Sequence, residues 1–370
     1  MIAIVLGTRP EIIKTAPVIF ELAARGIRFR IIHTGQHYSP SLDRVFFDEL
    51  GLPAPAVNLE TGSLPPARQV ARMIEGLADA LEAERPRAVL LQGDTNSVLA
   101  GALAAHKLGI PIAHLEAGLR SDDWTMPEEG NRIVAGRLAA VHFCPTPLQA
   151  ERLAGEGIEK GVYVVGNTVV DACLHFAERA RRQSDVLSRL GLERGRYGLL
   201  TMHRPSNVDA RERLDALTQG LAAMATALDA RLVFPVHPRT RASAAAFGLL
   251  ARLGAPPFVT VEPVGYLDLL ALLEGARFVA TDSGGLQEEA CTLRVPCLTL
   301  RPNTERPETV TVGANVLCDA SDGVELERAL RGVMISIRQA TNPFGDGRTA
   351  ARVVDVLVSP ETRWLPSGQP

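Results

Sequence analysis

The sequence predicts an α/β protein in which two doubly wound parallel sheets are formed by separate halves of the chain. Short apolar runs alternate with longer amphipathic stretches, which is the pattern of buried parallel strands connected by helices. The alternation is interrupted at a polar, Arg-rich stretch over 171–196 and then resumes. With 370 residues, the chain is long enough for two such domains.

The first half shows the alternation of strands and helices most clearly. Helices are predicted at Glu11–Arg25, Pro66–Glu84 and Asn96–Leu108, where apolar residues recur at helical spacing. The apolar runs between and after them are expected to be buried strands. These strands are predicted at Ile2–Leu6, Arg28–His33, Ala88–Gln92, Pro111–Leu115, Val141–Cys144 and Val162–Val165.

The second half repeats the pattern and gives the predicted domain division. We expect a first domain at 1–170 and a second at 171–347, with a last helix near Arg348–Val358, within 348–370, packing back on the first domain. The strands of the second domain are predicted at Tyr197–Met202, Arg231–Val236, Phe258–Val261, Arg277–Thr281 and Pro296–Leu300.

Composition excludes several classes of protein. The 39 Lys and Arg residues nearly balance 42 Asp and Glu residues, so nothing indicates a nucleic-acid or anionic-membrane partner. The apolar run Met1–Leu6 is too short for a signal peptide, and no run approaches the roughly 20 residues of a membrane span. The 5 cysteines lack CxxC or Cys/His spacing, which argues against a disulfide framework and a metal site. We therefore expect a soluble cytoplasmic protein.

Polar residues gather directly after the predicted strands, where open parallel sheets bind their ligands. If the polar ends of the two sheets faced each other, they would form one cleft. The segments concerned are Gly7–Glu11, Thr34–His37, Gly93–Thr95 and Glu116–Ser121 in the first half, and His203–Arg204, His237–Arg239 and Asp282–Gly285 in the second.

The segment Asp282–Glu289 has the composition of a phosphate-binding turn between a strand and a helix. Paired glycines allow close approach of the backbone, the helix start offers free N–H groups, and a glutamate further along could accept ribose hydroxyls. The alternative is a plain helix cap, since Asp and Ser are common caps. Neither GxxxxGK[ST] nor GxGxxG occurs, so a Walker loop and NAD dependence are unsupported.

Carboxylates of the first half form a second group of candidates. Asp94, Glu116 and Glu128 follow strands or lie in loops, where converging carboxylates can move protons. The alternatives are that Asp94 caps a helix and that Glu128 and Glu129 are first-turn acids after Pro127. Glu116 ends an apolar strand, where an unpaired carboxylate would be costly.

Histidines and arginines complete the candidates. His203 and His237 each end a strand beside an arginine, as expected of proton carriers or phosphate donors, although a lone histidine is more often structural. Arg9 and Lys14 at the first helix could bind a diphosphate, or they could be solvent-exposed cations without a ligand. The same two alternatives apply to Arg301 and Arg306. His33 and His37 lie on a strand and turn, so they do not form a helical metal pair.

Taken together in order, the motifs closely resemble those of the non-hydrolysing UDP-N-acetylglucosamine 2-epimerases. The resemblance spans nearly the whole chain, and no single motif is specific alone. The motifs are Gly7–Glu11, Gln92–Thr95, His114–Arg120, Pro127–Arg132, Gly166–Asp171, Asp282–Glu289 and Glu305–Glu308.

The resemblance implies a GT-B-type fold, with two Rossmann-like domains facing across a cleft that holds the active site. It also implies interconversion of UDP-GlcNAc and UDP-ManNAc by a cytoplasmic homodimer, without a cofactor or metal, through anti elimination of UDP to 2-acetamidoglucal and syn re-addition. The family's catalytic positions fall on Asp94, Glu116, Glu128 and His203. Its UDP-binding positions fall on Arg9, Lys14, Arg132, His237, Ser283, Gly284, Gly285, Glu289 and Arg306.

Two segments depart from the pattern of many bacterial members and resemble archaeal members more closely. These are His203–Asn207 and the segment Tyr38–Asp43, which is one residue longer. Because both regions help to form the activator site of the bacterial enzymes, we expect no allosteric activation by UDP-GlcNAc. Two other functions remain open: epimerisation of a related sugar such as a UDP-diacetamido-uronic acid, and a GT-B glycosyltransferase. A non-catalytic UDP-sugar sensor is a third.

Overall fold

A computed structural model describes residues 1–36, 46–124, 126–362 and 364. The chain forms two compact units, one comprising Met1–Ala172 with Phe344–Pro370 and the other Cys173–Pro343. The boundary between them falls within the helix Thr168–Gln183. Each unit contains one parallel sheet, so the predicted α/β class with two parallel-sheet domains is confirmed.

The first unit is built on a seven-stranded sheet in the order β3-β2-β1-β4-β5-β6-β7. All adjacent strands are parallel, with Leu6 opposite His33 and Gln92 opposite Leu115. Every residue of β1, β4, β5 and β6 is buried, as expected for parallel strands covered by helices on both faces. The strands are β1 (Ile2–Leu6), β2 (Phe29–His33), β3 (Val57–Asn58), β4 (Ala88–Gln92), β5 (Ile112–Leu115), β6 (Val141–Cys144) and β7 (Val162–Val164).

Helix α2 (Pro66–Glu84) of the first unit shows how the sequence determines both the buried face of a helix and its end. Met73, Leu77 and Leu81 form one buried stripe at i, i+4 and i+8 of α2, which ends at Arg85 in the left-handed region. The helices are α1 (Arg9–Ala24), α2 (Pro66–Glu84), α3 (Asn96–Lys107), α4 (Pro127–Leu138), α5 (Pro147–Gly155), α6 (Thr168–Gln183, shared with the second unit) and α16 (Thr349–Val358), and residues 46–50 are also helical.

The last helix, α16, packs on the first unit although it follows the second in sequence. Arg25, which directly follows α1, pairs with Asp355 of α16 at 2.6 Å, and Ala350 donates its backbone N–H to Asp171. Gly166, at φ +97°, lies so close to this segment that an added Cβ would be 2.6 Å from Thr349. The beginning of α6 is therefore fixed by the chain that returns to this unit.

The second unit repeats the architecture with a six-stranded parallel sheet in the order β10-β9-β8-β11-β12-β13. Its strands are β8 (Tyr197–Thr201), β9 (Arg231–Pro235), β10 (Phe258–Val261), β11 (Phe278–Thr281), β12 (Cys297–Thr299) and β13 (Asn315–Leu317). Its helices, after α6, are α7 (Val186–Arg189), α8 (Pro205–Val208), α9 (Arg211–Ala227), α10 (Pro238–Ala246), α11 (Leu250–Leu253), α12 (Tyr266–Gly275), α13 (Gly284–Leu293), α14 (Pro307–Thr311) and α15 (Gly323–Ser336).

Most predicted elements lie within one or two residues of the observed ones, but two strands were missed. β3 has 2 residues and β13 has 3, and neither contains an apolar run that stands out in the sequence. Both are outermost strands, whose extended form is set by pairing with the neighbouring strand. Among the described helices, none is both long and apolar enough to cross a membrane.

Candidate active site

Each sheet has one point at which the strand order reverses, and several candidate residues directly follow the strands there. In the first unit the order reverses between β1 and β4, and in the second between β8 and β11. Such switch points leave a crevice at the carboxyl ends of the strands, which is where open α/β sheets bind ligands. Glu11 and Asp94 follow the first pair of strands, whereas His203 and Asp282 follow the second.

Glu11 joins the two loops at the switch point of the first unit. Its carboxyl accepts hydrogen bonds from the Gly7 backbone N–H at 2.9 Å and from the Thr95 hydroxyl at 2.7 Å. Burial raises the pKa of Glu11 to about 7, against the lowering effect of these bonds. Gly7 is required here, since an added Cβ would lie 2.0 Å from the Thr34 hydroxyl.

Glu116 follows β5 in an unusual backbone conformation and is almost fully buried. Its φ is +61°, in the left-handed region that residues other than glycine rarely adopt. Oε1 accepts from Lys14 Nζ at 2.6 Å and from Asn167 Nδ2 at 2.7 Å, and Oε2 accepts from Gln92 Nε2 at 2.7 Å. Three donors from three separate segments of the first unit therefore hold this carboxylate at the carboxyl end of β5.

Lys14 and Arg9, both predicted to bind UDP, differ in their surroundings. Lys14 lies on the buried side of α1 and pairs with Glu116. Arg9, the first residue of the same helix, is exposed, and its guanidinium lies 5.5 Å from the centre of the Phe46 ring. The structure thus brings Lys14, but not Arg9, into contact with a predicted catalytic carboxylate.

Asp94, predicted to be catalytic, pairs with Arg132, predicted to bind substrate. Arg132 Nη2 and Nε lie 2.6 and 2.9 Å from Asp94 Oδ2. Arg132 Nη1 also pairs with Glu129 at 2.6 Å, and Glu129 accepts hydrogen bonds from the N–H and hydroxyl of Ser121. Burial acts to raise the pKa of Glu129, but the bonds from Ser121 and Arg132 hold it below its ordinary value. Glu129 is therefore a buried residue that orients Arg132, in addition to being a first-turn acid of α4.

Asp94 does not cap the helix that follows it, so that alternative is wrong. The N-cap of α3 is Thr95, whose hydroxyl accepts the N–H of Val98. Glu128 lies partly exposed in the first turn of α4, and its carboxylate makes no hydrogen bond or ion pair with any residue that the structure describes.

His203 and Asp282 form a hydrogen-bonded pair at the switch point of the second unit. His203 Nδ1 lies 3.0 Å from Asp282 Oδ1, and Oδ2 accepts the backbone N–H groups of His203 and Arg204 at 2.9 and 2.8 Å. Asn207 also donates to Oδ2, at 3.2 Å. Burial acts to raise the pKa of Asp282, but the bond and charge of His203, together with these N–H groups, hold it below its ordinary value. The ionised carboxylate accepts Nδ1–H, which leaves His203 Nε2 available to a ligand.

His237, the other predicted histidine, lies beside His203. The ring centroids are 5.4 Å apart, and His237 Nδ1 accepts the N–H of Arg239 at the start of α10. Burial and the neighbouring His203 lower the pKa of His237, so its ring is neutral near pH 7. The structure therefore brings together the two histidines that the sequence placed at separate strand ends.

The glycine turn before α13 has space that the protein itself does not fill. An added Cβ at Gly285 would meet no atom within 4 Å, and one at Gly284 would be 3.6 Å from Glu305. Ser283 occupies the N-cap but its side chain makes no capping bond to the described chain. A plain cap thus explains neither the serine nor the glycines, whereas the free N–H groups of a helix start suit an anion.

Glu289 and Arg306, both predicted to bind UDP, are mostly buried in the same unit. Glu289 accepts a hydrogen bond from the hydroxyl of Tyr266 at 2.8 Å. Arg306 lies at the start of α14, with its Nε 2.8 Å from Glu288. These contacts hold both side chains in place.

The sequence interpretation missed several side chains that hold the candidates in place. Gln92 and Asn167 hold Glu116, Glu129 holds Arg132, and Asp282 holds His203. Gln92, Asn167 and Asp282 all lie in motifs that the sequence analysis identified. The sequence therefore indicated these positions, but it did not indicate which side chains they would contact. His37 and Tyr38–Asp43, also singled out, lie outside the described residues.

The first unit has groups suited to proton transfer, and the second has groups suited to binding a phosphate. The first unit presents the carboxylates Glu116 and Asp94 beside cations, as proton transfer requires. The second presents a histidine held by a carboxylate and an open helix start, as stabilisation of a phosphate requires. No group of three or more His, Cys, Asp and Glu side chains in the described ranges is placed to hold a metal ion.

Comparison with known proteins identifies relatives over nearly the full chain. The family model for UDP-N-acetylglucosamine 2-epimerase matches residues 21–358. The UDP-N-acetylglucosamine 2-epimerase of Methanocaldococcus jannaschii is 45% identical over 363 residues, covering 96% of this chain and 98% of the relative. The UDP-2,3-diacetamido-2,3-dideoxy-D-glucuronate 2-epimerase of Pseudomonas aeruginosa is 38% identical, covering 95% of this chain and 98% of the relative.

Solved structures extend the similarity to the fold. The structure of the M. jannaschii enzyme in complex with UDP-GlcNAc and UDP has a TM-score of 0.88 and covers 96% of this chain and 99% of that chain. A structure of Phytolacca americana UGT2 complexed with UDP-2fluoro-glucose and pterostilbene, at 14% identity and a TM-score of 0.61, covers 96% of this chain and 98% of that chain and shows the fold alone. The predicted glycosyltransferase-like fold class is thereby confirmed. On the family model and these identities, the chain belongs to the UDP-N-acetylglucosamine 2-epimerase family of isomerases.

Proposed function

We propose that this protein interconverts UDP-GlcNAc and UDP-ManNAc by eliminating UDP and adding it back. The activity for which its relatives are named supports this proposal, as does the occurrence of proton-transfer groups in one unit and anion-binding groups in the other. The observation that carries it is the state of Glu116. Its left-handed backbone at φ +61° costs roughly 1–3 kcal/mol, and it places a buried carboxylate where Lys14, Gln92 and Asn167 all donate to it.

The chemistry follows from the bonds that must change. The C1–O bond to UDP breaks and the C2 proton leaves, which gives the C1–C2 double bond of 2-acetamidoglucal. UDP then adds back to C1, and a proton adds to C2 on the same face as UDP, which is opposite the face from which the first proton left. Since the C2–H is not next to a carbonyl and is poorly acidic, departure of UDP with positive charge at C1 must drive the elimination. The overall reaction involves no net oxidation or reduction of the sugar, so no hydride carrier is required.

The residues are proposed to divide the work according to their chemistry. Asp94 and Glu116 transfer the protons, and Glu128 stabilises the charged ring or acts as a second base. His203, held by Asp282, donates to the departing phosphate. The groups proposed to bind UDP are Arg9, Lys14, Arg132, His237, Ser283, Gly284, Gly285, Glu289 and Arg306.

Incubation with UDP-GlcNAc in D2O tests this function. The proposal predicts UDP-ManNAc as product and deuterium at C2 of both sugars, without added NAD. Absence of C2 exchange in folded protein that converts one epimer into the other would exclude the elimination mechanism. Absence of any conversion would exclude the function.

A second candidate is epimerisation of a UDP-diacetamido-uronic acid, supported by the 38% identity to the P. aeruginosa enzyme with that substrate in its name. A panel of both sugars at equal concentration separates the two candidates through kcat/KM. Because the uronate carries an additional negative charge, it needs an additional cation near C6.

Two further possibilities give different products. A glycosyltransferase would transfer the sugar to an acceptor without forming an epimer. A UDP-sugar sensor would bind without turnover, and Asp94→Asn would leave that binding unchanged. The same D2O assay, followed by analysis of products, distinguishes both from an epimerase.

We also propose that the protein is a cytoplasmic homodimer that supplies ManNAc-type precursors for cell-surface polysaccharide. Light scattering of the purified protein checks the oligomeric state: the proposal predicts twice the chain mass of 39.7 kDa. A monomer at assay concentrations would contradict it.

A further inference from the structure

Asn167 contacts a proposed catalytic carboxylate but has no role in the function proposed above. Its side-chain Nδ2 donates to Glu116 Oε1 at 2.7 Å, and the residue is 2% exposed. It lies in the motif Gly166–Asp171, immediately before α6. The contact joins residues 51 positions apart in sequence, so it depends on the tertiary structure of the first unit.

The orientation of the Asn167 amide is fixed by the backbone around it. Its Oδ1 accepts the N–H of Val169 at 3.1 Å, so the NH₂ group, rather than the oxygen, must point to Glu116. The backbone N–H of Asn167 donates to Phe344 O at 2.8 Å, which anchors the residue on the returning chain. Asn167 can therefore offer the carboxylate a donor only.

The three partners of Glu116 described above are all donors in these contacts. Lys14 has no acceptor atom, and the amides of Gln92 and Asn167 both present nitrogen. An ionised carboxylate accepts these three bonds more strongly than a protonated carboxyl does, and the positive charge of Lys14 also favours the ionised form. We propose that Asn167 is a positioning residue that keeps Glu116 ionised and oriented as the base of the reaction.

The other titratable groups on the surrounding elements have partners of their own. Glu11 of α1 binds Gly7 and Thr95, and Asp94 pairs with Arg132. In β5, His114 bonds to the Gly93 carbonyl, and burial lowers its pKa to about 4. On α6, Asp171 accepts the N–H of Ala350. Lys14 is a charged group that contacts Glu116 directly.

Asn167→Asp tests the proposal with little change in shape. The new carboxylate keeps an oxygen for the Val169 N–H, so the start of α6 is retained, but it replaces the donor facing Glu116 by a negative charge. Asn167→Ala removes the donor without adding charge. Asn58→Asp is a matched control, because exposed Asn58 also accepts a backbone N–H two residues ahead, from Glu60.

Because this inference rests on the proposed epimerase function, the first measurement is the pH dependence of kcat/KM. We expect the acid limb to move up by about one pH unit or more in Asn167→Asp, by less in Asn167→Ala, and not at all in Asn58→Asp. One unit corresponds to a tenfold loss of activity on that limb. A folded Asn167→Asp or Asn167→Ala enzyme whose acid limb stays at the wild-type pH would overturn the proposal.

A second measurement does not depend on activity. In protein labelled with ¹³C at the glutamate carboxyl, the Glu116 signal is the one missing from Glu116→Gln. We expect this signal to titrate at higher pH in both Asn167 variants than in wild type, and an unchanged titration would overturn the proposal. Glu11 also titrates in this range, but it is present in the wild type and in both Asn167 variants. Its titration therefore cannot explain a difference between their Glu116 signals. If the wild type converts no UDP-sugar, the proposed function fails while this titration still decides the role of Asn167.

Discussion

Replacing Asp282 by Asn would break the link between the buried carboxylate and His203 while nearly preserving shape. The new amide can keep its oxygen at the position of Oδ2, where it accepts the N–H groups of His203 and Arg204. Its NH₂ group then lies at the position of Oδ1, 3.0 Å from His203 Nδ1. The amide donates where the carboxylate accepted, so His203 is held with its proton on Nε2 and the ring loses its anionic partner.

The size of the effect follows from the bond that is lost. A hydrogen bond to a charged group contributes about 1.5–3 kcal/mol, which corresponds to a roughly ten- to hundredfold change in rate. If this bond holds His203 as it donates to the departing phosphate, we expect kcat of Asp282→Asn to fall by about that factor.

Steady-state kinetics of Asp282→Asn between pH 5.5 and pH 8.5 would test this reasoning. Thermal unfolding followed by circular dichroism establishes that the second unit is folded, and Asp209→Asn is a control, since Asp209 pairs with Arg239 on the exposed surface of that unit. A folded Asp282→Asn enzyme with wild-type kcat across this range would refute a role for the His203–Asp282 pair.

Three further predictions concern single residues. Asp94→Asn and Glu116→Gln should each lower turnover by at least ~100-fold while calorimetry still detects UDP binding, and wild-type rates in both would remove these carboxylates from the mechanism. Burial raises the pKa of Glu11 to about 7 from 4.5, so the native protein binds a proton that the unfolded chain releases, and its free energy of unfolding should fall by about 3 kcal/mol as the pH rises from 4.5 to 7. Urea unfolding should show that Glu11→Gln lacks this fall, and parallel curves for both proteins would contradict the assignment. Gly285→Ala should unfold within about 0.5 kcal/mol of wild type, because the added methyl group meets no protein atom, but should bind UDP more weakly in calorimetry; unchanged binding would exclude close approach of a phosphate there.

The elements with strong patterns of their own could be predicted from the sequence. The fully buried strands β1 and β4 were predicted at the observed residues because their apolar runs stand between turn residues and helices. Helix α2 was also predicted at its observed bounds, since its apolar stripe is regular. The two-residue strand β3 was missed because its extended form depends on pairing with β2, which no local pattern encodes.

The same distinction applies to the candidate site. Residues that follow strands, such as Asp94 and His203, could be identified because their place on a parallel sheet follows from the order of elements. The partners that hold them could not, because Asn167 reaches Glu116 and Asp282 reaches His203 only after distant segments are packed together. Nor does any local pattern predict the left-handed backbone at Glu116, which is imposed by its surroundings.

The outermost strands of both sheets are short, and this has a consequence for how the protein behaves at high concentration. β3 has 2 residues, β7 and β13 have 3 each, and β10 has 4. A sheet border recruits a strand from another molecule through its row of unpaired N–H and C=O groups, and such short borders offer few of them. Two open sheets can therefore exist in one chain with little tendency to add strands from neighbouring molecules and grow into fibrils.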